Sequence, residues 1–317
     1  MAKTVLVTGA FSYIGAAVAE ELMRRGHRVR TLTNRAVPTG LAETVPTQPL
    51  RFEKEFLVGA MKGVDVFINT YWIRFPHAGQ TFQTAIVNSE RLFEAARDAG
   101  VGRIVHVSVS NPDRGSDLGY YRGKADVEWK LRQNGVPHAI VRPTLVVGPG
   151  DVLTNNIGWL LRRFPVFALP QGGRCRLQPV TLRETARIIC DNIDGPDGSV
   201  VDAAGPETFS FAYFVRRLAA LLNVRRFFLP VPNGLALACL APLGKCLRDT
   251  ILTAEELLGL EQELLVSRRP PLSGESVWPW LEAHRTDVGR VYVNDKNRHF
   301  GSGKTKPLHD SFRADLR

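Results

Sequence analysis

Tyr120 and Lys124, four residues apart in Tyr-Tyr-Arg-Gly-Lys, are the pair in this chain best suited to move a proton. On a helix, residues i and i+4 share a face, so an ammonium at 124 stands within reach of a phenol at 120. A positive charge there favours the phenolate and brings the tyrosine pKa down from about 10 toward working pH, as a general acid/base on a hydroxyl or carbonyl requires. Tyr121 points about 100 degrees away around the same helix and is the weaker candidate. Ser110, or failing it Ser108, supplies a hydroxyl at the end of the preceding strand to orient a substrate oxygen. An ordinary helix-start aromatic followed by a surface lysine would carry the same letters, so the surrounding elements decide what the pair means.

Residues 4–35 describe the element that would hold a reactive partner beside that pair. An apolar strand, Val5 to Val7, runs into a tight turn at Gly9, and helix periodicity starts near Ile14 and Gly15. The amides of a helix's first turn, with the helix dipole behind them, make a site for a pyrophosphate, lined here by Gly9, Ala10, Phe11, Ser12, Tyr13, Ile14 and Gly15. Gly9 permits the turn, and Gly15 permits close packing of helix on strand. Ser12 stands where the G-x-x-G-x-x-G pattern has its middle glycine, and a serine is small and able to donate to phosphate. The second strand ends in Thr33-Asn34-Arg35, with no carboxylate to hold a ribose 2′-hydroxyl as NAD-preferring proteins do. Hydroxyl, amide and guanidinium suit a 2′-phosphate instead, so NADP(H) is the expected dinucleotide. A plain alternative makes Arg35 one more solvated charge beside Arg24, Arg25, Arg28 and Arg30.

Further along, strands Val64–Asn69, Arg103–Ser108 and His138–Arg142 alternate with helical stretches over Glu53–Met61, Thr81–Ala99 and Tyr120–Asn134. Such alternation specifies an α/β fold, a doubly wound parallel (Rossmann) sheet whose ligands bind at the carboxyl ends of the strands. Asn69, Thr70, Ser108, Ser110, Pro143 and Thr144 fall at those ends and, with Lys124, extend the expected cofactor site. Residues 1–150 form the nucleotide-binding domain, 176–205 return to it, and 151–300 make a smaller C-terminal substrate lobe. The tail 301–317, with Gly-Ser-Gly-Lys-Thr-Lys and no apolar period, reads as disordered.

These motifs together resemble the short-chain dehydrogenase/reductase superfamily, in its extended and atypical branch, the NAD(P)-dependent epimerase/dehydratase family. The resemblance covers residues 3–300 and rests on Val7–Gly15, Asn88–Arg97, Ile104–Ser110, Tyr120 with Lys124, Val141–Gly150 and Gly205–Ser210. It implies Ser110 as the catalytic hydroxyl, Ser108 as second choice, and Asn88 as a helical residue that helps hold the catalytic lysine. It also implies a choice of function. One is an NADP(H)-dependent oxidoreductase, or an epimerase or dehydratase that retains its cofactor. The other is a non-catalytic NADPH-holding accessory or redox-sensing protein, a class that often lacks the tyrosine and lysine present here. Asn69-Thr70-Tyr71-Trp72 departs from the small residues usual after that strand. With Ile73-Arg74-Phe75, and with Trp159–Leu161 and Phe164–Phe167 in the lobe, it suggests an apolar or aromatic substrate rather than a nucleotide sugar.

Composition narrows the rest. A net charge of +10 comes from arginines scattered in pairs, which form no stripe with interleaved aromatics and argue against nucleic acid. Cys175, Cys190, Cys239 and Cys246 lack C-x-x-C spacing and the seven histidines lack H-E-x-x-H, so neither a metal site nor a disulfide framework is expected. A reducing cytoplasm fits the cysteines, and Met-Ala-Lys passes straight into the first strand without a signal peptide. The longest apolar run, Leu235–Leu243, is too short to span a bilayer. It suits a buried lobe helix, a pocket wall or a surface that touches lipid, and a homodimer stays open.

Overall fold

Val5, Leu6 and Val7 are buried on both faces of β1 (Thr4–Thr8), as a near-continuous apolar run must be in a parallel sheet. The computed structural model describes residues 1–37 and 44–300. The tail 301–317 and residues 38–43 of the loop after the second strand lie outside them. Beside β1 stand β2 (Arg28–Leu32), β3 (Thr47–Gln48), β4 (Val66–Asn69), β5 (Arg103–Val107) and β6 (His138–Pro143). The order is β3-β2-β1-β4-β5-β6, all parallel, and a returning strand, Ser199–Ala203, pairs with β6 as the seventh. The direction of winding reverses between β1 and β4, the switch point at which such sheets bind ligands.

Helices α1 (Tyr13–Arg24), α2 (Lys54–Met61), α3 (Phe82–Asp98) and α4 (Gly119–Arg132) connect these strands. Leu6, Phe67, Ile104 and Ile140 point to the face covered by α2, α3 and α4, where Leu57, Met61, Leu92, Phe93, Val127 and Leu131 meet them. Each such side chain contributes roughly 1.5–3 kcal/mol by leaving water. The α3 boundaries have local causes. Thr81 accepts the Thr84 amide at 3.1 Å as N-cap, and Gly100 takes the left-handed backbone (φ 73) just past the end. The helix Leu182–Asp191 packs against α1. Together Met1–Pro143 and Leu182–Ala203 form one compact unit.

The other unit comprises Thr144–Thr181 and the chain from Ala204 onward. It holds β7 (Leu145–Val147), α5 (Leu153–Arg163), β8 (Val166–Pro170), β9 (Arg176–Leu177) and β10 (Pro179–Thr181). With α6 as the returning helix Leu182–Asp191 and β11 as the returning strand, it continues with β12 (Phe209–Ser210), α7 (Phe211–Leu221), β13 (Phe227–Val231) and α8 (Asn233–Leu247). Three two-stranded sheets, β7 with β10, β8 with β13 and β9 with β12, frame a core of its own. Leu161, Phe167, Phe214 and Trp278 lie in that core, and Trp159 is buried against Phe164 and Tyr292. Of the apolar letters of 159–167, Trp159, Leu161 and Phe167 are accounted for by the unit's interior, while Phe164 and Val166 are exposed. The run Leu235–Leu243 behaves in the opposite way. It lies on α8, where only Ala236 and Gly244 are buried, so it is not the interior helix that its composition first suggests.

Candidate functional site

The turn between β1 and α1 is built so that nothing larger than glycine fits at its two fixed points. Gly9 sits at φ 68, and its carbonyl accepts the Ser12 amide at 2.7 Å. A Cβ on Gly15 would lie 2.1 Å from that same carbonyl oxygen. Ser12 caps α1, its Oγ accepting the Gly15 amide at 3.3 Å, which leaves the hydroxyl proton to donate outward. The Ile14 amide has no intrahelical acceptor by helix geometry, and the first turn carries no acidic residue. An anion there meets dipole and donors without a like charge, so the turn fits a dinucleotide pyrophosphate. Ala10 is tied down from behind, its amide donating to Thr31 Oγ1 at 3.1 Å. Gly15→Ala is expected to push helix and strand apart and lower dinucleotide affinity by ~100-fold or more, since the phosphate amides move with α1. Cofactor titration checks this, and retained affinity would contradict the close-packed turn.

At the end of β2 the three residues singled out differ in what they have left to offer. Thr33 is buried, and its Oγ1 accepts the Arg35 amide at 3.2 Å. Asn34 is committed: its amide donates to Leu50 O at 3.0 Å and its carbonyl accepts Leu50 N at 2.9 Å, pinning the chain after β3. Arg35, half-buried, is the cation of the set.

Asn69 and Thr70, expected from sequence as cofactor contacts, also brace the strand ends. Asn69 is fully buried; its Oδ1 accepts Thr8 Oγ1 and the Tyr71 amide, each at 3.1 Å, and its Nδ2 lies 3.2 Å from His106 Nδ1. Thr70 Oγ1 donates to Thr8 O at 2.5 Å, and its amide donates to Thr8 Oγ1 at 2.9 Å. His106 stands edge-on to Phe93 at 5.7 Å, and its pKa is driven well below the usual range by burial and then by the charge on Lys124. With Nδ1 accepting from Asn69, its proton sits on Nε2. Pro143 is buried and its carbonyl accepts the Ser110 amide at 2.9 Å, while Thr144, also buried, opens the second unit.

The first turns of α4 carry the acid/base candidates. Lys124 is buried, its Nζ donating to Val107 O at 2.9 Å beneath the Trp72 ring, whose centroid is 4.9 Å away. Burial pulls its pKa to about 7, partly opposed by the charge of Glu128. No carboxylate among the described residues pairs with it. Glu128, one turn on, is held by Arg142 at 2.6 Å and Arg132 at 3.0 Å. Tyr120 meets the same indole edge-on at 6.1 Å, and Phe82, stacked parallel on Trp72 at 6.0 Å, meets Tyr120 edge-on at 6.1 Å. Trp72 thus touches both members of the pair, and only glycine at 123 lets it: a Cβ there would lie 2.9 Å from its ring. Its indole N–H is buried and finds no acceptor among the described residues.

Two further residues that the family resemblance implies make contacts within the fold. Asn88 donates its side-chain amide to the Tyr71 hydroxyl at 3.1 Å. The Ser108 hydroxyl lies near Glu128 and helps hold its carboxyl low, without a regular hydrogen-bond partner among the described residues. Ser110, two residues further past the end of β5, is fully buried. Phe82 and His106 escaped the sequence reading. Phe82 looks like any first-turn residue after a threonine cap, and His106 falls in strand alternation with no partner spacing to mark it.

Comparison with known proteins agrees with this architecture. Residues 1–148 match the NmrA-like family. Sterol demethylase protein B of Methylococcus capsulatus is 31% identical over 183 residues, which cover 49% of this chain and 55% of that protein. The mitochondrial NADH dehydrogenase (ubiquinone) 1 alpha subcomplex subunit 9 of Rattus norvegicus is 27% identical, over 57% of this chain and 48% of its own. The chain thus spans about half the length of these curated relatives. Among solved structures, a nucleoside-diphosphate-sugar epimerase of Staphylococcus aureus superposes with a TM-score of 0.69 at 17% identity, over 88% of this chain and 99% of that one. The chain therefore has the fold of that nucleoside-diphosphate-sugar epimerase, and its first 148 residues are similar in sequence to the NmrA-like family.

Proposed function

We propose that the chain is an NADP(H)-dependent oxidoreductase acting on a carbonyl, hydroxyl or enone of a largely apolar small molecule, with Tyr120 exchanging the proton. The observation that carries this reading is Lys124, a buried amine with no ion-pair partner among the described residues, on the helix face of a tyrosine. Burying such a charge costs several kcal/mol when nothing offsets it, and proteins keep the arrangement where they need control of a proton. A bound nicotinamide supplies or takes up the hydride. In the reductive direction the Tyr120 hydroxyl gives its proton to the carbonyl oxygen as charge develops there, and the Lys124 ammonium stabilises the phenolate left behind. Ser110 orients the oxygen, and Trp72 with Phe82 keeps water from it. At the other end, Thr33 and Arg35 would receive a 2′-phosphate.

The aromatic group of Trp72, Phe82 and Tyr120 supports an apolar substrate, and so does a relative named for sterol demethylation. Each sugar hydroxyl buried there without a partner would cost ~1–3 kcal/mol. NADPH is expected to bind at least ~10-fold tighter than NADH, the least a charge-assisted phosphate contact gives, and Arg35→Ala to erase the difference. Fluorescence titration of both dinucleotides decides it. Thermal-shift screening with NADPH present, setting hydrophobic ketones, quinones and enones against nucleotide sugars, tests the substrate class. Stabilisation by nucleotide sugars alone would overturn it.

A second reading has an observation of its own. Trp72 covers Lys124, and Asn88 bonds to Tyr71, so a protein that only holds NADPH would look the same at rest. A respiratory-complex subunit among the relatives favours it too. Tight NADPH binding with no turnover on any screened carbonyl would establish that account.

A further inference from the structure

The outward face of the β8–β13 ribbon and the helix that follows it are apolar, exposed and unpartnered within the second unit. In the parallel register Phe227 lies opposite Val166 and Leu229 opposite Ala168, so Phe227, Leu229 and Val166 share one side. That side faces solvent: Phe227 is 75% exposed, Leu229 51% and Val166 43%. The chain passes through Pro232 into α8, fifteen residues of which Lys245 alone is charged. A helix apolar on all sides belongs inside a protein or in lipid. Here it packs on β8 yet leaves Leu235 51% exposed and buries only Ala236 and Gly244. At ~1.5 Å per residue it is roughly 22 Å long, short of a bilayer's apolar thickness of ~30 Å, and no described helix is long and apolar enough to cross one.

Charge says what covers this face. Between Glu207 and Asp249 the chain has no carboxylate side chain and six basic residues, and between Asp151 and Glu184 none against five. The structure gathers several of them at one end of the ribbon. Arg226 donates from Nε to Leu161 O and from Nη2 to Arg162 O at 3.3 Å, which brings Arg225 and Arg226 beside Arg162 and Arg163. Arg216 lies over the Phe228 ring at 4.5 Å, and Lys245 and Arg248 are exposed at the end of α8. We propose that this face docks on a membrane surface rich in anionic phospholipid, the apolar side chains entering the headgroup boundary while the arginines meet the phosphates. A second copy of the chain fits less well, because a two-fold interface would set these arginines against one another. Apolar burial and roughly 1 kcal/mol per basic residue near an anionic surface act together in such docking. The docking stands apart from catalysis and holds whether or not the chain turns over a substrate.

Flotation of the full chain with lipid vesicles tests it. The protein is expected to float with phosphatidylcholine vesicles containing phosphatidylglycerol, to bind vesicles of phosphatidylcholine alone at least ~10-fold more weakly, and to be released by high salt. Phe227→Glu and Leu235→Glu should each lower binding by ~10-fold or more, and the double variant Arg225→Gln, Arg226→Gln should do the same for the anionic vesicles alone. All four positions are exposed or half-buried, and unchanged NADPH titration confirms that each variant is folded. Failure to float with anionic vesicles overturns the proposal, as does flotation that none of these variants alters. A concentration-dependent dimer in sedimentation that Phe227→Glu dissolves, with no vesicle binding, would overturn it in favour of a second copy.

Discussion

Tyr120→Phe is expected to reduce turnover ~100-fold or more and to leave NADPH affinity within about twofold of the parent. The substitution removes one oxygen and its proton. The ring keeps its edge contacts with Trp72, Phe82 and Tyr121, so the aromatic group and the first turn of α4 stay in place. Single-turnover hydride transfer, followed by nicotinamide absorbance, isolates the chemical step from binding. Tyr121→Phe serves as the contrast: that side chain is buried on another face of the helix and should leave the step unchanged. Full activity in Tyr120→Phe together with loss in Tyr121→Phe would show that the register assigned to α4 is wrong.

Lys124→Met is expected to stabilise the fold below neutrality while reducing turnover by ~100-fold or more, two effects that a purely structural lysine would not combine. The folded-state pKa of about 7 lies below the ordinary 10.5, so between those values the unfolded chain binds more protons than the folded one and parent stability rises with pH. Below pH 7 both states are protonated, and the folded state carries the full cost of the buried charge. Methionine fills a similar volume without that charge. The variant should therefore gain stability on the order of 2 kcal/mol at pH 6, and the gain should shrink as pH climbs toward 10.5. Urea melts at pH 6 and pH 9 measure it. A variant less stable at pH 6 would mean that the bond to Val107 O and the contact with Trp72 outweigh the desolvation.

The strand–turn–helix at Gly9–Gly15 was legible because steric exclusion leaves a mark in the letters: where a Cβ would meet a carbonyl at 2.1 Å, only glycine is written. The parallel sheet was legible for a similar reason, since strands buried on both faces must be apolar throughout, as Val66–Asn69 and Arg103–Val107 nearly are. What could not be read were pairings set by distance across the fold. Asn69 and Thr70 stand at the sheet's carboxyl edge, and their polar groups also reach Thr8 and His106, residues 37 to 62 positions away. Tyr71 takes Asn88, 17 residues on. The apolar run of α8 stayed open for another reason: composition reports that a helix avoids water, not what will cover it.

The two bonds between Asn34 and Leu50 bear on how readily the proposed NADPH preference could be reversed. Asparagine can both donate to Leu50 O and accept from Leu50 N, and aspartate can only accept. The position where an acidic residue would recruit NADH is thus also the clasp joining β2 to the chain beyond β3, and a carboxylate there would face a carbonyl oxygen. A route to NADH that leaves the clasp closed runs through Thr33 or Arg35, so the first mutations selected for such a change should fall on either side of Asn34 and spare it.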